Sequence, residues 1–138
     1  MKKIILASCI AVSPFLFSSC KHNVVVGHGE KSTDTRAVGP FSVVAVSTSL
    51  DITIDVNETA QPGLTLSGYK NILEYIKTDV SGDTLRIYTD KKTDFESDKD
   101  IVATISTKTL SGLSIAGSSD AEIAGDIKGN SFTLKVTG

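Results

Sequence analysis

Short runs in which apolar and polar residues alternate recur along this chain after residue 40. The run LSIAG at 113–117 returns as LKVTG at 134–138 and as LTLSG at 64–68, with looser copies VAVST at 44–48 and LRIYT at 85–89. Three of the four intervals between successive copies are 20 or 21 residues long. A period of two places every other side chain on one face of a strand. The pattern therefore predicts a regular series of β-strands.

A second apolar segment follows these copies at a constant distance. Ile52 lies eight residues after Val44, and Ala121 lies eight residues after Leu113. Each unit is therefore interpreted as a strand, a corner and a second strand. One such unit cannot bury its apolar face, whereas stacked units bury a continuous core. The sequence predicts an all-β fold, a right-handed β-solenoid with rungs of about 20–21 residues.

Ten apolar residues are expected to stack in register inside that core. They are Val44, Val46, Leu64, Leu66, Leu85, Ile87, Leu113, Ile115, Leu134 and Val136. No second strand follows the last copy, so its apolar residues predict a terminal strand with one unpaired edge. Because a stack of units needs a cap, we expect either a repeat interrupted within a longer protein or end-to-end self-association with another copy.

The segment GSSDA, residues 117–121, is predicted to be a corner of this scaffold. Aligning residues 41–54 with residues 110–123 matches Asp51 with Asp120 and Ser42 with Ser111. Asp and Ser side chains at such corners hydrogen-bond nearby backbone N–H groups. The same small polar residues therefore recur because the same corner recurs.

A nucleophilic serine is the competing interpretation of that segment. Ser118 or Ser119 would need a general base within hydrogen-bond reach. The histidines of the chain, His22 and His28, both precede the first repeat. Two histidines without a third ligand also make a poor zinc site. We therefore predict no catalytic residue, no metal and no cofactor.

The N-terminus has the pattern of an export signal. Lys2 and Lys3 precede an apolar stretch, residues 4–17, that is too short to span a bilayer. The following LFSSC resembles a bacterial lipoprotein box, in which Cys20 becomes the lipidated first residue. A disulfide is the alternative, but Cys9 would be removed with the signal peptide. We expect a signal peptide at 1–19, a lipidated tether at 20–35 and a folded domain at 36–138.

Charge excludes one class of partner. Without residues 1–19, the chain carries 12 Lys and Arg against 16 Asp and Glu. Nucleic-acid binding requires clustered cations that neutralise phosphates, so this balance argues against it.

One irregular interval suggests a binding loop. The 28-residue interval before LSIAG contains the acidic stretch 89–100, which we expect to form an exposed loop that the fold does not need. Asp94, Glu96, Asp98 and Asp100 alternate and would project to one side of an extended chain. Such carboxylates could bind Ca²⁺, but interleaved lysines are more typical of a solvated loop.

Several segments together resemble a known family. They are GHGE at 27–30, Arg36, FSVVAVSTSLDITI at 41–54, the segment around Asn71 and LSIAGSSDAEIAG at 113–125. The chain resembles the head GIN domain family of putative auto-transporter adhesins of Bacteroides-like bacteria. That resemblance implies a right-handed β-solenoid in an exported, often lipid-anchored protein without enzyme activity.

Two functions remain open from the sequence. The first is a noncatalytic lipoprotein of the cell envelope, placed at the outer membrane, whose Ser/Thr-rich face binds polysaccharide or an envelope protein. The alternative is a small polysaccharide-cleaving β-helix enzyme. The modest length and the absence of tryptophan favour the binding module.

Overall fold

A computed structural model describes residues 23–90 and 93–138 and shows an all-β fold with one short helix. The predicted signal peptide and Cys20 lie outside these described residues. The elements are β1 (Asn23–Val26), β2 (Lys31–Arg36), β3 (Val43–Ser47), β4 (Asp51–Val56), β5 (Gly63–Tyr69), α1 (Lys70–Leu73), β6 (Ile76–Ser81), β7 (Thr84–Thr89), β8 (Thr93–Glu96), β9 (Val102–Thr107), β10 (Gly112–Ala116), β11 (Ala121–Gly125) and β12 (Thr133–Thr137).

The strands form two large mixed sheets and one small parallel pair. The first sheet has the order β12-β10-β3-β7-β6, the second has the order β11-β4-β9-β5-β2, and β1 pairs with β8. The inward side chains of both large sheets belong to a single core. Val44 and Leu85 from the first sheet and Ile54 and Ile105 from the second are fully buried there. The apolar alternation seen in the sequence therefore faces one shared interior.

The predicted right-handed β-solenoid is wrong. A solenoid would require successive units to run parallel, but β5 pairs antiparallel with β9 and with β2, and β6 pairs antiparallel with β7. Local turns cause the reversals. Thr59 donates its N–H to the Asn57 side chain at 3.0 Å in the turn before β5, and Gly82 adopts a φ of 61° between β6 and β7. The result is a sandwich-like arrangement of mixed sheets.

The predicted register is confirmed for four of the five copies. Val44 aligns with Leu85 on one side and with Leu113 on the other, and Leu113 aligns with Leu134. Val46, Ile87, Ile115 and Val136 form the next row in the same way. Leu64 and Leu66 depart from the prediction because their strand, β5, belongs to the second sheet. Leu134 and Val136 keep the register but are exposed rather than buried.

The corner role of GSSDA is confirmed by its hydrogen bonds. Ser119 Oγ accepts the N–H of Leu50 and donates to the carbonyl of Thr48, both at 3.3 Å. Ile52 N–H donates to the carbonyl of Asp120 at 2.8 Å, which joins the two stacked corners. Gly117 has a φ of 125°, a conformation that other residues resist. We call a unit of two strands joined by a corner an arc. Ser119 therefore links arc β3–β4 to arc β10–β11.

The segment before the first repeat is integrated into the fold. Strand β1 lies within the predicted tether, as does all of β2 except Arg36, and the two strands pair with β8 and β5. Asn71 Nδ2 donates to the carbonyl of Val26 at 2.9 Å, and its Oδ1 accepts the N–H of His28 at 3.1 Å. The amide of Asn71 thus fastens GHGE to helix α1.

Arg36 connects the two large sheets by hydrogen bonds at the end of the fold where β2 and β6 are the edge strands. Its guanidinium donates to the carbonyls of Ile76 at 2.8 Å and Leu73 at 3.3 Å, and to Thr78 Oγ1 at 3.1 Å. It also forms an ion pair with Asp34 at 2.9 Å, and only 20% of the Arg36 side chain is exposed. One half-buried cation therefore ties the second sheet to the first sheet and to the end of α1.

Candidate ligand-binding face

The outer face of the first sheet carries a shallow groove. Outward side chains there alternate with the buried rows, so that Ser114, Ala45 and Arg86 lie side by side on β10, β3 and β7. Ala45, Ser47, Ser114 and Ala116 give the groove a floor of small side chains, and Arg86 and Tyr88 line one wall. The groove has a volume of ≈ 310 Å³. A floor without large side chains leaves room for an elongated ligand.

The two residues of the groove wall, Arg86 and Tyr88, form an ordered cluster with Asp79 of the neighbouring strand. Asp79 on β6 lies directly opposite Arg86 on β7. Arg86 Nε donates to Asp79 Oδ1 at 2.6 Å and Nη2 donates to Oδ2 at 2.8 Å, a two-pronged contact. The Arg86 Cζ atom lies 5.5 Å from the centre of the Tyr88 ring, within range of a cation–π interaction. The carboxylate therefore holds the guanidinium in place against the aromatic ring.

Electrostatics keep this cluster in one protonation state. The hydrogen bond from Arg86 lowers the pKa of the Asp79 carboxyl below its ordinary value. The hydrogen bond to Asp79 raises the pKa of the Tyr88 hydroxyl, and Asp79 likewise raises the pKa of Arg86. The cluster therefore contains one anion, one cation and a neutral phenol throughout the neutral pH range. Its charges balance, so it offers directed hydrogen bonds rather than a net field.

The outer face of the second sheet is different in chemistry. Thr53, Thr104, Thr65 and Thr35 align in one row across four neighbouring strands. The hydroxyls of Thr35 and Thr65 are 3.3 Å apart and share a hydrogen bond. This row supplies hydroxyl groups without an aromatic side chain or a groove wall. The first sheet therefore offers the better-defined site.

The acidic residues that the sequence suggested do not converge on one site. Asp94 and Glu96 are exposed on strand β8, whereas Asp98 and Asp100 lie in the turn that follows. Tyr69 Oη donates to Asp98 Oδ1 at 2.7 Å and lowers its pKa. Within residues 23–90 and 93–138, no three His, Cys, Asp or Glu side chains are grouped to hold a metal ion.

The prediction that residues 89–100 form a loop is wrong, whereas their dispensability for folding stays a prediction. The segment contains β8, which pairs with β1 over four residues. Phe95 on β8 packs against the core, and Gly27 N–H donates to the carbonyl of Glu96 at 2.7 Å. The extra length of this interval therefore provides a strand that covers one side of the core.

Sequence reasoning missed the Asp79–Arg86–Tyr88 cluster. The segment LRIYT was interpreted through its apolar residues, and Arg86 and Tyr88 are the polar residues between and after them. The useful signal was the hairpin pattern: Gly82 lies between two alternating segments. A turn there brings Asp79 opposite Arg86.

Fold and groove together define an all-β domain with an open groove on the outer face of its first sheet. The family model for the putative auto-transporter adhesin, head GIN domain, matches residues 40–138. The chain belongs to that family. Among the described residues, no helix has the length and apolar character needed to span a membrane.

Solved structures of low sequence identity share the fold. A putative adhesin from Bacteroides fragilis NCTC 9343 has a TM-score of 0.75 at 22% identity, over 83% of this chain and 53% of that one. A putative adhesin from Parabacteroides merdae ATCC 43184 has a TM-score of 0.70 at 17% identity, over 83% and 47%. A putative lipid binding protein from Parabacteroides distasonis ATCC 8503 has a TM-score of 0.73 at 20% identity, over 83% and 49%.

The chain thus spans about half the length of these solved proteins. Curated protein sequences give no match to it.

Proposed function

We propose that this protein is a noncatalytic lipoprotein of the cell envelope that binds polysaccharide chains in the groove of the first sheet. The observation that carries the proposal is the pair Arg86 and Tyr88, which lines a groove floored by small residues and in which Asp79 holds the guanidinium in place. Membership of the adhesin family supports a binding role.

The groove chemistry suits a neutral saccharide. A sugar ring has an apolar face that stacks on an aromatic side chain and hydroxyls that bond to oriented donors and acceptors. Tyr88 offers the ring, and Arg86, whose direction the two bonds to Asp79 fix, offers a donor. Because the charges of Arg86 and Asp79 cancel locally, binding should depend little on ionic strength.

Replacing Tyr88 by Ala is expected to weaken glycan binding at least tenfold. The substitution removes the stacking surface, and a tenfold loss corresponds to about 1.4 kcal/mol of binding free energy. Glycan arrays would identify the bound polysaccharide, and titration calorimetry would compare the variants. Tyr75→Ala is the matched control, because Tyr75 is a 49% exposed tyrosine outside the groove.

Equal binding by wild type and Tyr88→Ala would exclude the groove as the glycan site. Steady shortening of the polysaccharide during the titration would instead favour the enzyme alternative, a polysaccharide-cleaving protein. Circular dichroism of each variant distinguishes loss of the site from loss of the fold.

Lipidation at Cys20 is the second part of the proposal. The sequence LFSSC supports it, and strand β1 begins only three residues after Cys20. A lipid there would hold the β1–β8 side of the domain near the membrane and fix the protein in the envelope, at the outer membrane.

Cys20→Ala is expected to move the protein from the membrane fraction to the soluble fraction. The physical reason is that acyl chains supply the membrane affinity, at about 0.8 kcal/mol per buried CH₂. Fractionation of cells followed by immunoblotting measures the distribution, and Cys9→Ala is the control because Cys9 precedes the proposed cleavage site. Undiminished membrane association of Cys20→Ala would contradict lipid anchoring.

A further inference from the structure

A second concave site lies at the β6 edge of the first sheet and borders the groove at Thr89. It is an open cleft with a volume of ≈ 520 Å³, formed by strand β1 and by the segment that leads from α1 into β6. Its lining includes Val24, Val25, Glu74, Tyr75, Lys77 and Asp90. Strands β7, β3 and β10 separate this edge of the sheet from β12. The cleft therefore belongs to the end of the fold that carries β1.

The core fixes one wall of the cleft. Leu73 and Ile76 are buried, with 4% and 1% exposure, so the two residues between them, Glu74 and Tyr75, face outward. The bonds from Arg36 to the carbonyls of Leu73 and Ile76 hold the backbone on both sides of this pair. Tyr75 is nevertheless 49% exposed. The wall thus presents a carboxylate and an aromatic ring from a well-anchored segment.

The rest of the lining supplies apolar surface and further charges. Val25 packs against the core, so its neighbour Val24 faces away from it and is 56% exposed. Lys77 Nζ lies 3.9 Å from Asp90 Oδ2, and the two side chains are 49% and 66% exposed. This long contact leaves the lysine accessible to a second anion. The described lining therefore combines one ammonium group with two carboxylates, beside an aromatic ring and an aliphatic side chain.

The cleft lies where the chain enters the fold. Asn23, the first residue of β1, is part of the lining and follows Cys20 by three residues. Three residues span at most about 11 Å. The layer of head groups on each side of a bilayer is roughly 5–8 Å thick. A lipid on Cys20 would therefore hold the cleft beside the head groups of the surrounding phospholipids.

We propose that the cleft binds the head group of a zwitterionic phospholipid, and its position at the membrane rests on the lipidation proposed at Cys20. Lys77 would bind the phosphate as a point charge. Glu74 and Asp90 would bind the ammonium group of the lipid, and Tyr75 offers its ring face to the same cation. Two carboxylates against one lysine disfavour a head group with net negative charge. Tyrosine side chains are also common at this depth of a membrane, because the ring is apolar and the hydroxyl is polar.

Titration of the full protein in a neutral detergent with glycerophosphoethanolamine, the water-soluble head group, tests the proposal. We expect saturable shifts of the amide NMR signals of residues 74–77. Glycerophosphoglycerol, which lacks the ammonium group, is expected to bind about fivefold more weakly. Lys77→Gln is expected to raise the dissociation constant about tenfold, because it removes the partner of the phosphate. Lys135→Gln is the matched control, since Lys135 is an exposed lysine on the opposite edge strand of the same sheet.

The two tyrosines distinguish this site from the glycan groove. Tyr75→Ala is expected to weaken head-group binding about threefold and to leave glycan binding unchanged, whereas Tyr88→Ala should do the reverse. Because the head group is soluble, the titration gives its answer whether or not Cys20 carries lipid. The proposal is overturned by a titration without saturable binding, by equal affinity for the two head groups, or by equal effects of Lys77→Gln and Lys135→Gln.

Discussion

Replacing Ile115 by Asp is expected to unfold the domain. Ile115 is 4% exposed and lies between Val46 and Val136 in the second core row. A carboxylate there has no cationic partner, and an unpaired buried charge costs about 5 kcal/mol, comparable to the whole stability of a small domain. Circular dichroism and urea unfolding would show loss of the cooperative transition.

Val136→Asp is the control in the same row. Val136 aligns with Ile115 across neighbouring strands but is 63% exposed, so its carboxylate would remain in water. The pair of variants separates the effect of burial from the effect of the substitution itself. A folded Ile115→Asp protein with an unchanged urea midpoint would contradict the assignment of this row to the core.

Replacing Arg36 by Ala is expected to lower the free energy of unfolding by about 3 kcal/mol. The variant leaves the carbonyls of Ile76 and Leu73 without their donor in a part of the fold that water reaches poorly. For a domain of this size the melting temperature should fall by about 10–15 °C. Differential scanning calorimetry measures both quantities.

Arg86→Ala provides the comparison for Arg36→Ala. It removes the same side chain from the outer face, where 51% of the Arg86 side chain is exposed. The exposed ion pair with Asp79 contributes little to stability, so the melting temperature should stay close to that of the wild type. Equal melting temperatures for the wild type, Arg36→Ala and Arg86→Ala would mean that the hydrogen bonds of Arg36 do not stabilise the fold.

The local organisation of the core could be predicted from the sequence. Period-two alternation identified the rows that contain Val44 and Val46, and similar spacing placed Leu113 and Ile115 in register with them. The corner chemistry was also predictable, because Ser111 and Asp120 align with Ser42 and Asp51 of an earlier corner and hydrogen-bond to those residues. These features depend on equivalent positions of two similar units that pack directly on each other.

The global topology could not be predicted, because two turns change the direction of the chain. The Asn57 side chain organises one turn, and Gly82 lies in the other. Each turn returns a strand antiparallel to a neighbour, whereas the repeat spacing alone suggested a parallel continuation. Spacing identifies equivalent strands but carries no information about which sheet a strand joins.

The candidate site was unpredictable for a related reason. Asp79 and Arg86 become partners only in the register that the β6–β7 hairpin adopts. The acidic stretch had a clearer linear pattern, yet the chain divides it between a strand and a turn, and Asp98 instead pairs with the hydroxyl of Tyr69. Charged residues that alternate in sequence share a face only while the strand continues.

The stacking of arc β3–β4 against arc β10–β11 has an evolutionary consequence. Residues at equivalent positions, such as Ile54 and Ile123, align directly on adjacent strands. An additional arc that arose by gene duplication would therefore pack against strands whose side chains already match its own. The molecule could lengthen by one layer at a time while its cross-section stayed constant. For a chain held by the lipid that we propose at Cys20, layers added between that anchor and the proposed groove would carry the groove farther from the bilayer, so selection could adjust this distance in small steps.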